Sequence, residues 1–159
     1  MSTLDKKIVK LIKKNISISI AESCTGGLIA SSITKINGAS KIFSCGIVSY
    51  SNDTKVKYLS VSKKTLRKFG AVSSNVATEM LDGLYKKEKT KITISTTGIA
   101  GPNGGSKKKP VGLVYIGIRV GKKVVVNEHN FKNKGRISIQ KQTVKKTLNL
   151  LVQMIKRDN

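Results

Sequence analysis

The segment Ala21-Glu22-Ser23-Cys24-Thr25-Gly26-Gly27 decides the fold of this chain. It follows the β-branched run of residues 16–20 and opens into the apolar residues 28–36, so the pattern predicts a strand, a tight turn and a helix. In α/β proteins ligands bind at the carboxyl ends of strands, where the following helix directs unpaired N–H groups toward them. Ser23 is expected at that edge, either as a nucleophile or as an ordinary helix N-cap.

The 159 residues, of which 38% are hydrophobic, suit one domain that spans residues 1–159. Because no apolar run approaches the roughly 20 residues of a membrane span, and the first residues lack a secretory apolar region, we expect a cytoplasmic protein without a membrane partner. Cys24, Cys45 and the single His129 are too few and too scattered for a disulfide framework or a zinc site. We therefore expect no disulfide and no metal.

A formal net charge of +23 points to nucleic acid or an anionic surface as a partner. However, only four of the 31 basic residues are arginine, and the lysines are spread along the chain without interleaved aromatic residues. Drift of solvated positions toward lysine explains the same composition. The charge therefore predicts only weak, nonspecific and salt-sensitive association with nucleic acid.

The hydrophobic pattern predicts an α/β protein with six helices and five strands. The helices are expected over residues 3–14, 26–35, 62–69, 74–87 and 136–157, with a short one carrying Lys55 and Leu59, and the strands over residues 16–21, 44–49, 91–96, 111–120 and 123–131. The last two strands are joined at Gly121-Lys122 and should form an antiparallel hairpin. This order predicts a sheet covered on both faces, mostly parallel with an antiparallel member.

Unusual polar residues follow each of the first three predicted strands. Ser23 follows the first, Tyr50-Ser51-Asn52 and Lys55 follow the second, and the glycine-rich loop of residues 97–110 follows the third. If these strands are parallel, the three segments converge on one edge of the sheet and form a crevice. The loop alone is also consistent with a simple turn, because it lacks the signatures of a P-loop or a dinucleotide fold.

A lysine is the base that this sequence offers to a nucleophilic serine. His129 lies late in the chain, and no carboxylate sits near a plausible Ser-His arrangement, which argues against a Ser-His-Asp triad. A lysine can act as a base only when its amine is neutral, which burial and a nearby positive field favour. Lys55 lies in the first turn of a predicted helix, where the helix dipole is positive; the alternative is a solvated surface lysine.

Four motifs in this order resemble those of the CinA carboxy-terminal domain family. They are residues 21–27, Gly46 with residues 50–55, residues 70–73, and residues 98–112. The resemblance covers about residues 4–155. It implies a three-layer α/β/α domain with a mixed, mostly parallel five-stranded sheet. It also implies a nicotinamide-nucleotide amidase, which hydrolyses nicotinamide mononucleotide to nicotinic acid mononucleotide and ammonia, without a metal or organic cofactor.

By position, the resemblance assigns Ser23 as the nucleophile, Lys55 as its base and Tyr50 as the phenol beside them. Ser40 also matches a family serine and is the competing nucleophile. Where the family usually has Gly-Asp-Arg and a second arginine, this chain has Lys134-Gly135-Arg136 and Gln140, which puts full activity in question. Substrate contacts are implied for Thr25, Gly26, Ser40, Asn52, Thr97, Gly98, Ala100, Gly101, Gly104, Gly105 and Arg136.

Two functions from different classes follow. The first is the amidase, which would bind a small nucleotide substrate and which we expect to form a homo-oligomer. The second is a binding protein that kept the fold and lost turnover, and that associates nonspecifically with nucleic acid. Close approach of Ser23, Tyr50 and Lys55 would favour the enzyme, because a binding protein has no need of that geometry.

Overall fold

The computed structural model describes residues 3–156, which form a five-stranded sheet with helices on both faces. The helices are α1 (Thr3–Lys13), α2 (Leu28–Thr34), α3 (Asn52–Leu59), α4 (Lys63–Phe69), α5 (Ser74–Glu88) and α6 (Arg136–Lys156). The strands are β1 (Ile18–Glu22), β2 (Phe43–Val48), β3 (Ile92–Gly98), β4 (Leu113–Val120) and β5 (Lys123–Asn130). The predicted end of the last helix, at about residue 157, lies outside the described residues.

The sheet has the order β2-β1-β3-β4-β5, and its ladders are evenly divided between the two orientations. β1 pairs in parallel with β2 and β3, whereas β4 is antiparallel to both β3 and β5. The expectation of a mostly parallel sheet is therefore slightly wrong. The connection from β3 to β4 contains no crossover helix, so β4 can only return antiparallel beside β3. The predicted hairpin is confirmed, with Val120 opposite Lys123.

Two apolar cores lie on opposite faces of the sheet and make the fold a three-layer α/β/α arrangement. The larger core joins α1, α2 and α6 to one face through buried residues such as Leu11, Ile33 and Leu148, packed with Ile20 and Ile94 of the central strands. The smaller core joins α3, α4 and α5 to the other face and is built from Ala21, Leu59, Val61, Val76, Met80 and Leu84. Burial of the leucine, isoleucine, valine and methionine side chains, each contributing roughly 1.5–3 kcal/mol, holds both helical layers on the sheet.

The carboxyl ends of β1, β2 and β3 meet at one edge of the sheet, as the parallel pairing requires. β3 is longer than predicted, since Thr97 and Gly98 still pair with β4 instead of belonging to the loop. The helix after β1 begins at Leu28 and not at Gly26, because Gly26 and Gly27 adopt left-handed backbone angles, with φ of 58° and 96°. Ser23 thus lies in a five-residue turn between strand and helix. No helix within residues 3–156 is both long enough and apolar enough to cross a membrane.

The position of α3 depends on a close backbone contact with α5. A Cβ atom added to the buried Gly83 of α5 would lie 1.7 Å from the carbonyl oxygen of Leu59, the last residue of α3. Only a residue without a side chain allows this approach. Since α3 carries Lys55, this contact also sets the position of that side chain.

We predict that Gly83→Ala lowers the free energy of unfolding by about 3 kcal/mol, because backbone atoms of Leu59 must move to accommodate the methyl group. Urea denaturation followed by circular dichroism measures the change. Gly46→Ala is the control, since the added Cβ would meet only side-chain atoms of Phe43 and Ala30. An equal effect of the two substitutions would contradict the assigned contact.

Candidate active site

Ser23 and Lys55 form a buried pair at the carboxyl edge of the parallel strands. The Nζ atom of Lys55 lies 3.0 Å from Oγ of Ser23, and it donates a hydrogen bond of 2.8 Å to the carbonyl oxygen of Ser49. Ser23 is 8% exposed and Lys55 only 1% exposed. The sequence-predicted nucleophile and base are therefore in direct contact.

Lys55 reaches Ser23 from the first turn of α3, whose N-cap is Ser51. The Ser51 hydroxyl accepts a hydrogen bond from the backbone N–H of Thr54, which starts the helix directly after β2. Burial lowers the pKa of Lys55 below its ordinary value of 10.5, because an ammonium group is poorly stabilised away from water. In its neutral form the amine can bond to the Ser49 carbonyl through one N–H and accept the proton of Ser23 with its lone pair.

The turn that carries Ser23 is fixed by the residue before it. Both carboxylate oxygens of the buried Glu22 fold onto the start of α2, where they accept hydrogen bonds from the backbone N–H groups of Gly27, Ile29 and Ala30. The N-cap of α2 is Gly27, so Ser23 does not cap this helix. The expectation that these N–H groups remain unpaired for a ligand is wrong, because Glu22 already occupies them.

Arg136 closes one side of the pocket. Its guanidinium donates to the carbonyl oxygen of Gly101 at 2.8 Å and also to the phenol oxygen of Tyr50. Tyr50 is 58% exposed and lines the same pocket as Ser23 and Lys55, but its described hydrogen bond is with Arg136 and not with either of them. The phenol thus lies at the mouth of the pocket.

A further part of the pocket wall comes from the end of β3 and from the glycine-rich loop. The cavity is about 220 Å³ and its lining includes Thr97, Gly98, Ala100, Gly101 and Gly104. A second, more open cavity of about 580 Å³ adjoins it along the same loop and shares Asn103 and Gly104 with it. A ligand larger than the first cavity can therefore extend over the loop.

Five of the residues with predicted substrate contacts do not line the Ser23 pocket. Thr25 is fully buried, and its hydroxyl lies 2.9 Å from that of Thr96. Gly26 and Asn52 are exposed outside the pocket lining, and Gly105 lines only the adjoining open cavity. Ser40 lies in a short 3-10 turn (Ala39–Lys41) that precedes β2, at the amino edge of the sheet. The structure thus separates Ser40 from Lys55 by the length of β2.

Three side chains that support the site were not predicted from the sequence. Glu22 holds the start of α2, and Gln140 of α6 donates from its amide to the carbonyl oxygen of Cys24 at 3.0 Å. Lys109 donates to the carbonyl oxygens of Phe69 and Val72, which ties the glycine-rich loop to the segment before α5. Glu22 and Lys109 lie within the sequence motifs and Gln140 follows Arg136 by four positions, but only the folded chain shows their partners.

The family model of the CinA C-terminal domain matches residues 1–155, which is nearly the whole chain. The chain belongs to the CinA C-terminal domain family. A CinA-like protein of Kosmotoga olearia is 53% identical over 127 residues, which are 79% of this chain and 31% of that protein. A competence-damage inducible protein of Clostridioides difficile is 49% identical over 141 residues, 89% of this chain and 34% of that one. The chain spans about a third of the length of the curated relatives it matches.

Solved structures of this superfamily share the fold over almost the full chain. The competence/damage inducible protein CihA from Agrobacterium tumefaciens superposes with a TM-score of 0.90 at 37% identity, covering 96% of both chains. A CinA superfamily protein from Escherichia coli gives 0.88 at 29% identity, covering 96% of this chain and 90% of that one. The CinA fold predicted from the sequence is therefore confirmed.

The buried amine of Lys55 predicts a pH-dependent contribution to stability. Because its pKa is lowered in the folded state, the unfolded chain binds a proton that the folded chain does not, in the range between that lowered pKa and 10.5. Wild-type stability should rise with pH in this window, and Lys55→Met should abolish that component. Urea denaturation between pH 7 and 10.5 measures it, with Lys57→Met of the exposed neighbour on α3 as the control. Identical slopes in all three proteins would contradict a lowered pKa.

Proposed function

We propose that this CinA-family chain is an amidase that hydrolyses nicotinamide mononucleotide to nicotinic acid mononucleotide and ammonia. The single observation that carries the proposal is the buried contact of 3.0 Å between Lys55 Nζ and Ser23 Oγ. A serine hydroxyl beside a neutral amine is a nucleophile with its base, and acyl transfer is the chemistry that this pair performs in serine-lysine hydrolases.

The reaction would proceed in two steps. Neutral Lys55 takes the proton from Ser23, whose oxygen attacks the carboxamide carbon and forms a tetrahedral intermediate. The Lys55 ammonium then gives this proton to the leaving nitrogen, so that ammonia departs and an ester to Ser23 remains. Lys55, neutral again, next takes a proton from water, which attacks the ester, and the proton returns to Ser23 as the acid leaves.

The shape and charge of the pocket support a nucleotide as the substrate. The hydrogen bonds of Arg136 to Gly101 and Tyr50 hold a cationic group in the lining of the pocket, which favours a substrate with an anionic group. The adjoining open cavity along residues 102–107 provides room for the ribose and phosphate once the carboxamide lies against Ser23.

The alternative of a binding protein without turnover is weakened by the burial of Lys55. Keeping an amine 1% exposed costs stability, since its preferred charged form is desolvated. A protein that only binds a nucleotide has no need of this arrangement. An enzyme, by contrast, gains a neutral base from the buried amine, which accounts for the loss of stability.

Ser23→Ala should lower ammonia release from nicotinamide mononucleotide by at least roughly a thousandfold, because the nucleophile of the covalent step is lost. The fold should remain, as Ser23 does not cap α2. Ser40→Ala, on the opposite edge of the sheet, is the matched control and should keep wild-type turnover. Near-normal turnover of Ser23→Ala, with loss in Ser40→Ala, would mean that the nucleophile is the other serine.

Lys55→Arg should be nearly as inactive as Lys55→Met. Arginine keeps the positive charge but cannot give up its proton in a protein, so it cannot act as a base. For the wild type, kcat/KM should rise with pH through the lowered pKa of Lys55, as the neutral amine becomes populated. The measurement is the pH profile of ammonia release for the three proteins. Substantial activity of Lys55→Arg with the wild-type profile would show that Lys55 only anchors the substrate.

A further inference from the structure

Glu22 is a buried carboxylate that directly precedes Ser23 and takes no part in the acyl-transfer steps. It is 1% exposed, and its oxygens accept hydrogen bonds from the N–H groups of Gly27 and Ile29, both 3.1 Å, and of Ala30 at 2.8 Å. A carboxylate is favourable at this place because the helix dipole is positive at the N-terminus of α2. The three bonds join the end of β1 to the start of α2 across the turn that carries Ser23.

A second nucleophilic side chain lies next to Ser23 in the same turn. Cys24 is 6% exposed and lines the same pocket. Burial is the main reason why the pKa of its thiol is raised to about 12, and the negative charge of Glu22 raises it further, while Lys55 and Arg136 act in the opposite direction. A thiolate at this place would favour a protonated Lys55, which could no longer accept the proton of Ser23.

We propose that Glu22 is a positioning residue that keeps Ser23 paired with Lys55 and keeps the Cys24 thiol out of that pairing. The inference rests on the proposed amidase function. By occupying the N–H groups at the start of α2, the carboxylate holds the turn in one conformation, in which Ser23 Oγ lies 3.0 Å from Lys55 Nζ. Gln140 supports the same conformation from the other side, by its hydrogen bond to the carbonyl oxygen of Cys24.

Without the Glu22 carboxylate the turn loses three of its hydrogen bonds, so that Ser23 shifts from its position beside the amine and Cys24 can approach it. The amide of a glutamine keeps one acceptor oxygen, but its NH₂ group is a donor and cannot pair with the N–H groups at the start of α2. The expected defect is a misplaced nucleophile in a folded protein. Misplacement by about 1 Å lowers turnover by about a hundredfold and leaves ground-state binding largely intact.

The experiment compares Glu22→Gln with the wild type in a Cys45→Ser background, where Cys24 is the remaining thiol. Ammonia release from nicotinamide mononucleotide gives kcat and KM, and mass spectrometry follows alkylation of Cys24 by iodoacetamide. We expect kcat to fall about a hundredfold with KM changed less than about twofold. We expect Cys24 to be alkylated about tenfold faster, since the thiolate is better populated and more accessible.

Glu79→Gln is the matched control. The Glu79 carboxylate also binds the start of a helix, accepting from the N–H of Ser62 at 2.7 Å and from the hydroxyl of Thr65 at 2.6 Å, but it lies at α4, away from Ser23. This substitution should leave kcat, KM and Cys24 alkylation unchanged. Equal effects of Glu79→Gln and Glu22→Gln would reduce Glu22 to a general contributor to stability and overturn the proposal.

Glu22→Asp is the second variant, because it keeps the carboxylate but is too short to reach all three N–H groups. It should lower kcat less than Glu22→Gln does, at an unchanged KM, and it decides the test if Glu22→Gln does not fold. The proposal is overturned if the folded variant has the kcat and the Cys24 alkylation rate of the wild type. It is also overturned if neither variant folds. If the wild type releases no ammonia, the proposed function fails, and alkylation of Cys24 still tests the role of Glu22 in the turn.

Discussion

The buried amine of Lys55 is the constraint on which the rest of the site depends. Burial at 1% exposure disfavours the ammonium form of this side chain and requires that its nitrogen find hydrogen-bond partners within the protein. The carbonyl oxygen of Ser49 and the hydroxyl of Ser23 provide those partners. Both partners directly follow strands, so the sheet, together with the packing of α3 on α5, sets the position of the amine.

The architecture brings these groups together by parallel pairing of three strands. Ser23 directly follows β1, Ser49 directly follows β2 on the way to the helix of Lys55, and β3 extends into the glycine-rich wall of the pocket. The close approach of Gly83 to Leu59 fixes α3 against α5, and Lys109 fixes the loop against the segment before α5. The buried ends of the strands and α3 therefore carry the reacting groups, while Arg136 and Tyr50 remain exposed at the mouth.

Much of the fold was predictable because the signals are local. The β-branched run before Ser23, the helical periodicity of α5 and α6, and the turn at Gly121-Lys122 each specify their element without long-range information. The convergence of the first three strand ends also followed from the sequence, and the family resemblance assigned Ser23 and Lys55 as a pair, but their contact is seen only in the structure. Even so, the exact balance of parallel and antiparallel ladders required knowing how β4 returns beside β3.

The missed features depend on contacts between distant segments. Nothing local shows that Glu22 turns back to the start of α2, that Gln140 reaches Cys24 across 116 positions, or that Lys109 binds Phe69 and Val72. Similarly, Ser40 matches a family serine by sequence, but the direction of β2 places it at the far edge of the sheet. Side-chain partners of this kind are set by tertiary packing, for which one sequence carries no periodic signal.

The most direct test of the account is the ionisation of Lys55 itself. Carbon-13 NMR of protein labelled at the lysine Cε atoms follows each amine with pH, and comparison with Lys55→Met identifies the resonance of Lys55. The account predicts that this resonance titrates clearly below the ordinary value of 10.5, because burial disfavours the ammonium form. A Lys55 resonance that titrates at or above 10.5 would contradict a neutral base beside Ser23.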